Sequence, residues 1–232
     1  MIANTDGNPS LKSEKKSLPN VIFLGAPGAG KGSVASRLAK EEGYSHLSTG
    51  EMFRQEIQNQ TQLGKEVKSI LDSGAYVDDS LTNRLVQERL SDLSKKHIAF
   101  ILDGYPRTLD QANFLANLKD QGITIDKVVL LNITEQQVIK RLSKRRICPA
   151  DKTIYHLEFN PPKKAGVCDK CQTALIKRPD DAPEVIKQRL AVYASQTKIL
   201  IDYYKNLGIL KEVNAYQSTD RVYNDTKKAL EW

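Results

Sequence analysis

Short apolar runs rich in β-branched residues recur along the chain and alternate with amphipathic segments. Strands are predicted at residues 21–24, 98–102, 128–133 and 209–213, with a shorter one near residues 46–47. Between them, apolar side chains return at helical spacing in residues 30–41, 50–73, 80–95, 108–120, 134–145, 183–206 and 219–230. Alternating strands and helices predict a parallel sheet covered by helices on both faces. We therefore expect an α/β protein.

Two stretches interrupt this alternation. Residues 48–78 are helical in pattern but lie between two predicted strands, and they exceed the length of a simple crossover. Residues 146–181 are rich in prolines around a β-prone stretch at 154–157, with too little apolar surface to fold unaided. Residues 1–18 are polar and carry no apolar export signal, so we expect a disordered leader. The pattern predicts one core with two insertions.

A glycine-rich loop directly follows the first predicted strand. Gly25, Gly30 and Lys31 satisfy the pattern G-x-x-x-x-G-K, although Gly32 stands where Ser or Thr is usual and the hydroxyl comes at Ser33. The loop N–H groups, the following helix N-terminus and the lysine would together cradle a polyphosphate. An ordinary glycine-rich β–α turn is the alternative. The loop by itself indicates a nucleoside triphosphate and nothing more specific.

Composition narrows the class of ligand. The chain has 232 residues, a formal net charge of +7 and 40% hydrophobic residues. Since no apolar run approaches the ~20 residues that span a bilayer, we expect no membrane partner. The basic residues are scattered over isolated motif positions, which favours small phosphates over a nucleic-acid groove. We therefore expect a cytoplasmic protein that binds no nucleic acid.

The three cysteines lie close together in the second insertion. Cys148-x-x-Asp151 and Cys168-x-x-Cys171 have the spacing of two knuckles of a structural zinc ribbon. A carboxylate can ligate zinc, so Asp151 is an acceptable fourth ligand. The alternative is a polar hydrogen-bonded cluster without metal. An odd number of clustered cysteines indicates a metal site in a reducing compartment rather than a disulfide scaffold.

One acidic residue ends a predicted strand. Asp103 directly follows residues 98–102, and ligands of open α/β sheets bind at the carboxyl ends of the strands. A lone carboxylate facing a phosphate loop could hold Mg²⁺ through water. A helix cap or turn aspartate is the alternative.

Further motifs extend the pattern beyond the loop. In chain order they are residues 25–33 (GAPGAGKGS), 47–54 (LSTGEMFR), 103–111 (DGYPRTLDQ), 141–146 (RLSKRR), 155–156 (YH) with 159–162 (FNPP), and 178–181 (RPDD). Together, and in this order, they resemble the adenylate kinase family of nucleoside monophosphate kinases, from about Asn20 to the C-terminus. The resemblance implies a P-loop three-layer core with a five-stranded parallel sheet, formed by residues 19–47, 79–145 and 182–232. It also implies an AMP-binding domain at 48–78 and a β-rich, zinc-type lid at 146–181.

The resemblance also implies roles for individual residues. The expected ATP contacts are Gly28, Ala29, Gly30, Lys31, Gly32, Ser33, Arg141, Arg145 and the backbone of Gln217. The expected AMP contacts are Thr49, Arg54, Val77, Gly104, Arg107, Gln111, Arg178 and Arg189. The expected catalytic residues are Lys31, Arg107, Arg145, Arg178 and Arg189. A phosphate oxygen of AMP is already charged, so no general base is needed, and His46, His97 and His156 are interpreted as structural.

The activity implied by the resemblance is adenylate kinase: Mg·ATP and AMP give two ADP, in a monomer that serves adenine nucleotide homeostasis. Pyrimidine-specific relatives usually have Ala at the position of Thr49 and Asn at that of Gln111, so these residues favour AMP. A GTP:AMP kinase or another nucleoside monophosphate kinase is the near alternative. A non-catalytic nucleotide- or nucleic-acid-binding zinc protein is the distant one. Ser33, Glu51 and Lys144 depart from the usual family residues without removing a required charge.

Overall fold

The computed structural model describes residues 18–230 and has a five-stranded parallel sheet at its centre. Its strands are β1 (Val21–Leu24), β2 (Ser45–Ser48), β3 (Phe100–Asp103), β4 (Lys127–Asn132) and β7 (Leu210–Asn214), and a separate antiparallel hairpin is formed by β5 (Arg145–Ile147) and β6 (Ile154–His156). The sheet order is β2-β3-β1-β4-β7. The predicted α/β fold with a five-stranded parallel sheet is confirmed. Residues 1–17, nearly all of the predicted leader, lie outside the described residues.

Helices cover the sheet and build the first insertion. They are α1 (Lys31–Glu42), α2 (Thr49–Gln58), α3 (Gln62–Ser73), α4 (Asp79–Lys95), α5 (Leu109–Asn117), α6 (Glu135–Ser143), α7 (Pro183–Val192), α8 (Ile199–Asn206) and α9 (Thr219–Ala229). Short 3₁₀ turns cover Leu118–Gln121 and Pro179–Asp181, and a π-helical turn at Tyr193–Thr197 joins α7 to α8.

The structure corrects two predicted helices. The single helix predicted at residues 50–73 is divided into α2 and α3, because Gln60 adopts a left-handed φ of 53° and the Thr61 side chain caps α3 by accepting from the Gly64 N–H. The helix predicted at residues 134–145 ends at Ser143, and Arg145 belongs to the strand β5.

The core lies on both faces of the sheet. Val21 and Phe23 of β1 pack in a cluster with residues of α1 and α9, while Ile22 and Leu24 pack on the opposite face with residues of α4, α5 and α8. Successive side chains of a strand point to opposite faces, so a strand buried on both sides has a continuous apolar sequence. The central strands β1, β3 and β4 were recognisable for this reason.

The two insertions have smaller cores. Phe53, Val67 and Val77 form a cluster of their own in the region of α2 and α3. In the second insertion, the buried apolar cluster consists of Cys148, Tyr155 and Cys168, with Leu175 against it. Within residues 18–230, no helix combines the length and the apolar character needed to cross a membrane.

Candidate active site

A cleft of about 1540 Å³ opens at the carboxyl ends of β1 and β3. A much smaller pocket lies beside it, lined by side chains that include Thr49, Val77 and Gln111. Gly104 and Arg107 line both cavities. The cleft and the small pocket together are lined by every predicted nucleotide-contacting residue except Gln217.

Two glycines of the loop, Gly25 and Gly28, have backbone conformations and close neighbours that a residue with a side chain would not tolerate. Gly25 has a φ of +140°, and a Cβ there would lie 2.6 Å from the Leu131 carbonyl oxygen. Gly28 has a φ of +80°, and its Cβ would lie 2.8 Å from Leu142 Cγ. Glycine adopts positive φ without strain and allows this close approach. Glycine therefore lets the loop turn tightly while its backbone packs against β4 and α6 at the edge of the cleft.

Lys31 lies at the first turn of α1, folded back onto the loop. Its Nζ donates to the carbonyl oxygens of Gly25, at 2.6 Å, and Ala26, at 3.1 Å. Burial lowers the pKa of the Lys31 ammonium to about 8, although the nearby Asp103 charge acts to raise it. An ammonium that is buried beside carbonyl oxygens and arginines gains from an anionic ligand that restores its full charge.

Asp103 ends β3 next to the glycine loop. Its exposed fraction is only 9%. Burial acts to raise the pKa of the Asp103 carboxyl, but the hydrogen bond from His46 and the Lys31 charge outweigh it, so the pKa is lowered. A Cβ at Gly32 would lie 3.2 Å from Asp103 Oδ2, so the carboxylate lies close against the start of α1. The carboxylate is thus ionised and oriented near the loop, and this environment fits a hydrated divalent cation.

His46, interpreted from the sequence as structural, lies in the cleft wall. Its Nε2 is 3.4 Å from Asp103 Oδ2, and its Nδ1 is 3.3 Å from Ser36 Oγ. His46 therefore bridges α1 and the end of β3, a contact that the sequence pattern did not indicate.

Four arginines converge on the middle of the cleft from different elements. Arg145 of β5 donates twice to Asp181, at 2.7 and 2.5 Å, and Arg189 of α7 donates to Asp180 at 2.8 Å. The two aspartates come from the motif at residues 178–181 and hold these guanidinium groups in place. Arg54 of α2 is anchored in the same way by Glu51, at 2.7 Å.

Arg178 is the least compensated of these arginines. It is 9% exposed, and its Nε is one of the few buried side-chain polar atoms of the described residues that have no hydrogen-bond partner. Its nearest carboxylate in an ion pair, that of Glu51, is 3.8 Å away. Burial, followed by the charges of Arg145 and Arg54, lowers the pKa of Arg178 to about 10. A buried guanidinium with a free N–H among other cations is a site for an anion.

The small pocket is built around Gln111 and Arg107. Gln111 Oε1 accepts from the Arg107 N–H at 2.7 Å, and Gln111 Nε2 donates to Asp79 Oδ1 at 2.6 Å. Thr49 Oγ1 donates to the Gly104 carbonyl at 2.8 Å. An amide has two donor hydrogens and two acceptor lone pairs, so Gln111 keeps the capacity to pair with a further ligand.

The opposite end of the cleft carries aromatic residues and Arg141. Arg141 donates to the carbonyl oxygens of Ala29 and Ala215, at 3.2 and 2.9 Å. Its guanidinium lies 5.4 Å from the Phe159 ring centroid, and Phe159 stacks on His156 at 4.7 Å. These flat groups form a surface on which a base can stack. Gln217, assigned to this end by resemblance, does not line the cleft, and its side-chain amide donates to Asp225.

The cysteine cluster forms a compact group of possible metal ligands. The ligand atoms of Cys148, Asp151, Cys168 and Cys171 all lie within 4.8 Å of one another. The sulfur atoms of Cys148 and Cys171 are 3.3 Å apart, and Cys168 Sγ is 3.3 Å from Asp151 Oδ2. The Thr153 backbone N–H lowers the pKa of Asp151 to about 2, so the carboxylate is ionised. Three thiols and one carboxylate in this arrangement fit a tetrahedral zinc ion.

A phosphate loop that faces buried arginines across one cleft defines a class: a P-loop enzyme that acts on phosphorylated ligands. The comparison with known proteins gives the particular family. A family model described as adenylate kinase matches residues 23–209 of the chain.

Adenylate kinases from several bacteria are similar to this chain. That of Mycoplasma mobile is 48% identical over 206 residues, which cover 88% of this chain and 94% of the relative. That of Treponema denticola is 47% identical over 204 residues, covering 88% and 95%, and that of Caldanaerobacter subterraneus subsp. tengcongensis is 44% identical over 211 residues, covering 90% and 95%. The chain belongs to the adenylate kinase family, and it is therefore a phosphotransferase acting between ATP and AMP.

Proposed function

We propose that this cleft performs the reversible transfer of a phosphoryl group from Mg·ATP to AMP, giving two ADP. In this proposal the glycine loop binds the donor phosphates, and the small pocket beside Gly104 and Arg107 binds the acceptor base. The observation that carries the proposal is Arg178, a buried guanidinium of the cleft with an unpartnered N–H beside the charges of Arg145 and Arg54. A phosphoryl group in flight supplies the anionic oxygens that this arginine lacks.

Catalysis would rest on positioning and on charge stabilisation. Lys31, Arg107, Arg145, Arg178 and Arg189 would surround the transferring group, and their forked or compact cationic groups match its spread negative charge. The anchoring of Arg145 and Arg189 by Asp181 and Asp180 supports this, since it fixes their geometry before the substrates bind. The attacking AMP oxygen is charged at neutral pH, so none of the described histidines needs to accept a proton.

Magnesium would be held at Asp103 through water. The ionised, nearly buried carboxylate beside the loop supports this assignment. The ion would neutralise charge on the donor phosphates and orient them. The contribution of the chain is to hold the carboxylate rigidly, through β3 and the contact with His46.

Residues 48–78 would form the AMP-binding domain and residues 146–181 the lid. The separate small core of Phe53, Val67 and Val77 supports the first assignment. Closure of the lid would exclude water that could otherwise attack the γ-phosphate. Zinc bound by Cys148, Asp151, Cys168 and Cys171 would stabilise the lid without taking part in phosphoryl transfer.

The same proposal makes the chain a cytoplasmic monomer that balances ATP, ADP and AMP, binding neither nucleic acid nor membranes. The clustering of the cysteines at metal-ligand spacing supports a reducing compartment. No feature of the cleft favours a pyrimidine acceptor, a GTP donor or a non-catalytic binding role.

Initial rates of ADP formation test the proposal. ATP and GTP are each paired with AMP, CMP, UMP and GMP as acceptors. With ATP as the donor, we expect the kcat/KM for AMP to exceed that for CMP or UMP by about 10- to 100-fold, because a wrong base leaves buried polar groups unpaired. Arg107→Ala should raise the KM for AMP about 10- to 100-fold through loss of charge-assisted hydrogen bonds. Arg84→Ala, on the exposed side of α4, is the matched control and should leave all constants unchanged. Equal rates with UMP would refute the adenine assignment.

A further inference from the structure

Tyr76 follows α3 and lies between the two cavities, where it contacts Arg107 in two ways. The Arg107 guanidinium carbon lies 4.8 Å from the Tyr76 ring centroid, within the range of a cation–π contact. The Tyr76 hydroxyl lies 2.8 Å from Thr197 Oγ1, and Thr197 Oγ1 donates to the Arg107 backbone carbonyl at 2.8 Å. One residue therefore contacts the arginine directly through its ring and indirectly through a hydroxyl.

The direction of the hydroxyl chain follows from hydrogen counting. A carbonyl oxygen can only accept, so the single hydroxyl hydrogen of Thr197 is used on the Arg107 carbonyl. Thr197 can then only accept from Tyr76, whose hydroxyl must donate. The chain runs from Tyr76 through Thr197 to Arg107, and each bond polarises the next.

The place of Thr197 in the fold explains how it reaches this chain. It is 6% exposed and ends the π-helical turn at Tyr193–Thr197, which interrupts the long helix formed by α7 and α8. A π turn adds a residue to the helix and often occurs at functional sites. Tyr76 and Thr197 are 121 positions apart, so the contact links the first insertion to the core.

Arg107 is also held by hydrogen bonds that do not involve Tyr76 or Thr197. The Arg107 Nε donates to the Gly104 carbonyl at 2.6 Å, and the Arg107 backbone N–H donates to Gln111 Oε1 at 2.7 Å. The Tyr76 ring covers the guanidinium face, and Thr197 binds the carbonyl. The Gly104 carbonyl holds the guanidinium at Nε, the Tyr76 ring adds a second restraint on its plane, and the Thr197 bond fixes the backbone from which the side chain extends.

We propose that Tyr76 is a positioning residue for the acceptor phosphate: through its ring and through Thr197 it orients the Arg107 guanidinium that binds this phosphate. The inference rests on the proposed function, in which Arg107 binds AMP. It predicts that removing the Tyr76 hydroxyl weakens binding of the AMP phosphate and leaves binding of the adenine base and of ATP unchanged.

Steady-state kinetics of four variants test the proposal, with Tm measured for each. Tyr76→Phe keeps the ring and loses the donor, so the KM for AMP should rise about 2- to 10-fold, as for one lost hydrogen bond. Tyr76→Leu loses both contacts and should raise it further, by about 10-fold or more. The KM for ATP should be unchanged in both. Tyr203→Phe, on a half-buried tyrosine of α8, is the control for a general effect of losing a phenol hydroxyl and should match the wild type.

A double-mutant cycle tests the route through Thr197. Thr197→Val removes the relay, so adding Tyr76→Phe should raise the KM for AMP no further. The Ki of adenosine as a competitor of AMP should stay at the wild-type value in Tyr76→Phe, since adenosine has no phosphate. An unchanged KM for AMP in Tyr76→Phe, independent effects in the cycle, or an equal loss for adenosine would each overturn the inference. Arg107→Ala separates the two levels: if it leaves the KM for AMP unchanged, the proposed role of Arg107 itself fails.

Discussion

Replacing Gly64 with alanine separates helix propensity from packing. Gly64 lies in the first turn of α3, where the helix meets α2. Alanine is the better helix former by about 0.8–1.0 kcal/mol, so propensity alone predicts a stabilised protein. In the structure, a Cβ at Gly64 would lie 2.1 Å from the Glu56 carbonyl oxygen and 2.6 Å from the Ile57 nitrogen. These are backbone atoms of α2, which cannot rotate away as a side chain can.

The packing term should decide the sign. An ordinary contact of a Cβ is 3.4 Å or longer, so the two helices would have to move apart by roughly 1 Å or more. Overpacking typically costs about 1–3 kcal/mol, and disruption of the small cluster of Phe53, Val67 and Val77 would add to it. After subtracting the propensity gain, we expect Gly64→Ala to lower the free energy of unfolding by about 0–2 kcal/mol from overpacking, and by more where the cluster is disrupted.

Among the kinetic constants, Gly64→Ala should change only those for the acceptor nucleotide. Because α2 and α3 belong to the proposed AMP-binding domain, the KM for AMP should rise while the KM for ATP stays constant. Ser69→Ala is the control: this exposed residue of the same helix gains propensity without a clash, and should be neutral or slightly stabilising. Thermal unfolding and initial rates are the assays. An unchanged or raised Tm for Gly64→Ala, with an unchanged KM for AMP, would refute the reasoning.

The remaining predictions concern Lys31 and the metal. Because burial lowers the Lys31 pKa to about 8 and a polyphosphate favours the charged form, ATP binding should take up a proton above pH 8 and weaken as the pH rises. Calorimetry in buffers of different ionisation heat should detect this uptake, which Lys31→Ala should abolish together with most of kcat. Elemental analysis should find one zinc per chain, held less tightly in Cys168→Ser and retained in Asp151→Cys. Chelation should lower the Tm, and the affinity for zinc should fall with falling pH because protons compete with zinc for the thiolates. A low zinc content together with a Tm insensitive to chelator would contradict the assignment.

The central strands β1, β3 and β4 could be predicted from the sequence because they are buried on both faces. The apolar runs that indicated β1, β3, β4 and β7 agree with the observed strands to within two residues at either end. The glycine loop could also be predicted from the sequence, since only glycine tolerates the positive φ and the close contacts observed at Gly25 and Gly28. Local rules were sufficient for these two features.

The two errors have different causes: the break at Gln60 and Thr61 is local and was missed, whereas the position of Arg145 depends on another strand. Arg145 continues a helical pattern in sequence, but β6 pairs with it and draws it into a hairpin. Contacts between distant residues were not predictable at all. No pattern indicated that Tyr76 would contact Thr197, or that the Gln111 amide would bind Asp79 as well as the Arg107 backbone. The Tyr76 contact depends on how the insertion packs on the core, and the Asp79 contact on how α4 packs beside α5, which a single sequence does not display.

Phosphorus NMR of the purified protein with ATP, AMP and Mg²⁺ tests most directly whether one cleft transfers a phosphoryl group between two nucleotides. The predicted result is that each ATP consumed gives two ADP, only when AMP is present, and that no inorganic phosphate appears. The expected stoichiometry follows from direct transfer to AMP in a site closed to water. ATP consumption without AMP, with one phosphate released for each ADP formed, would contradict the proposed function.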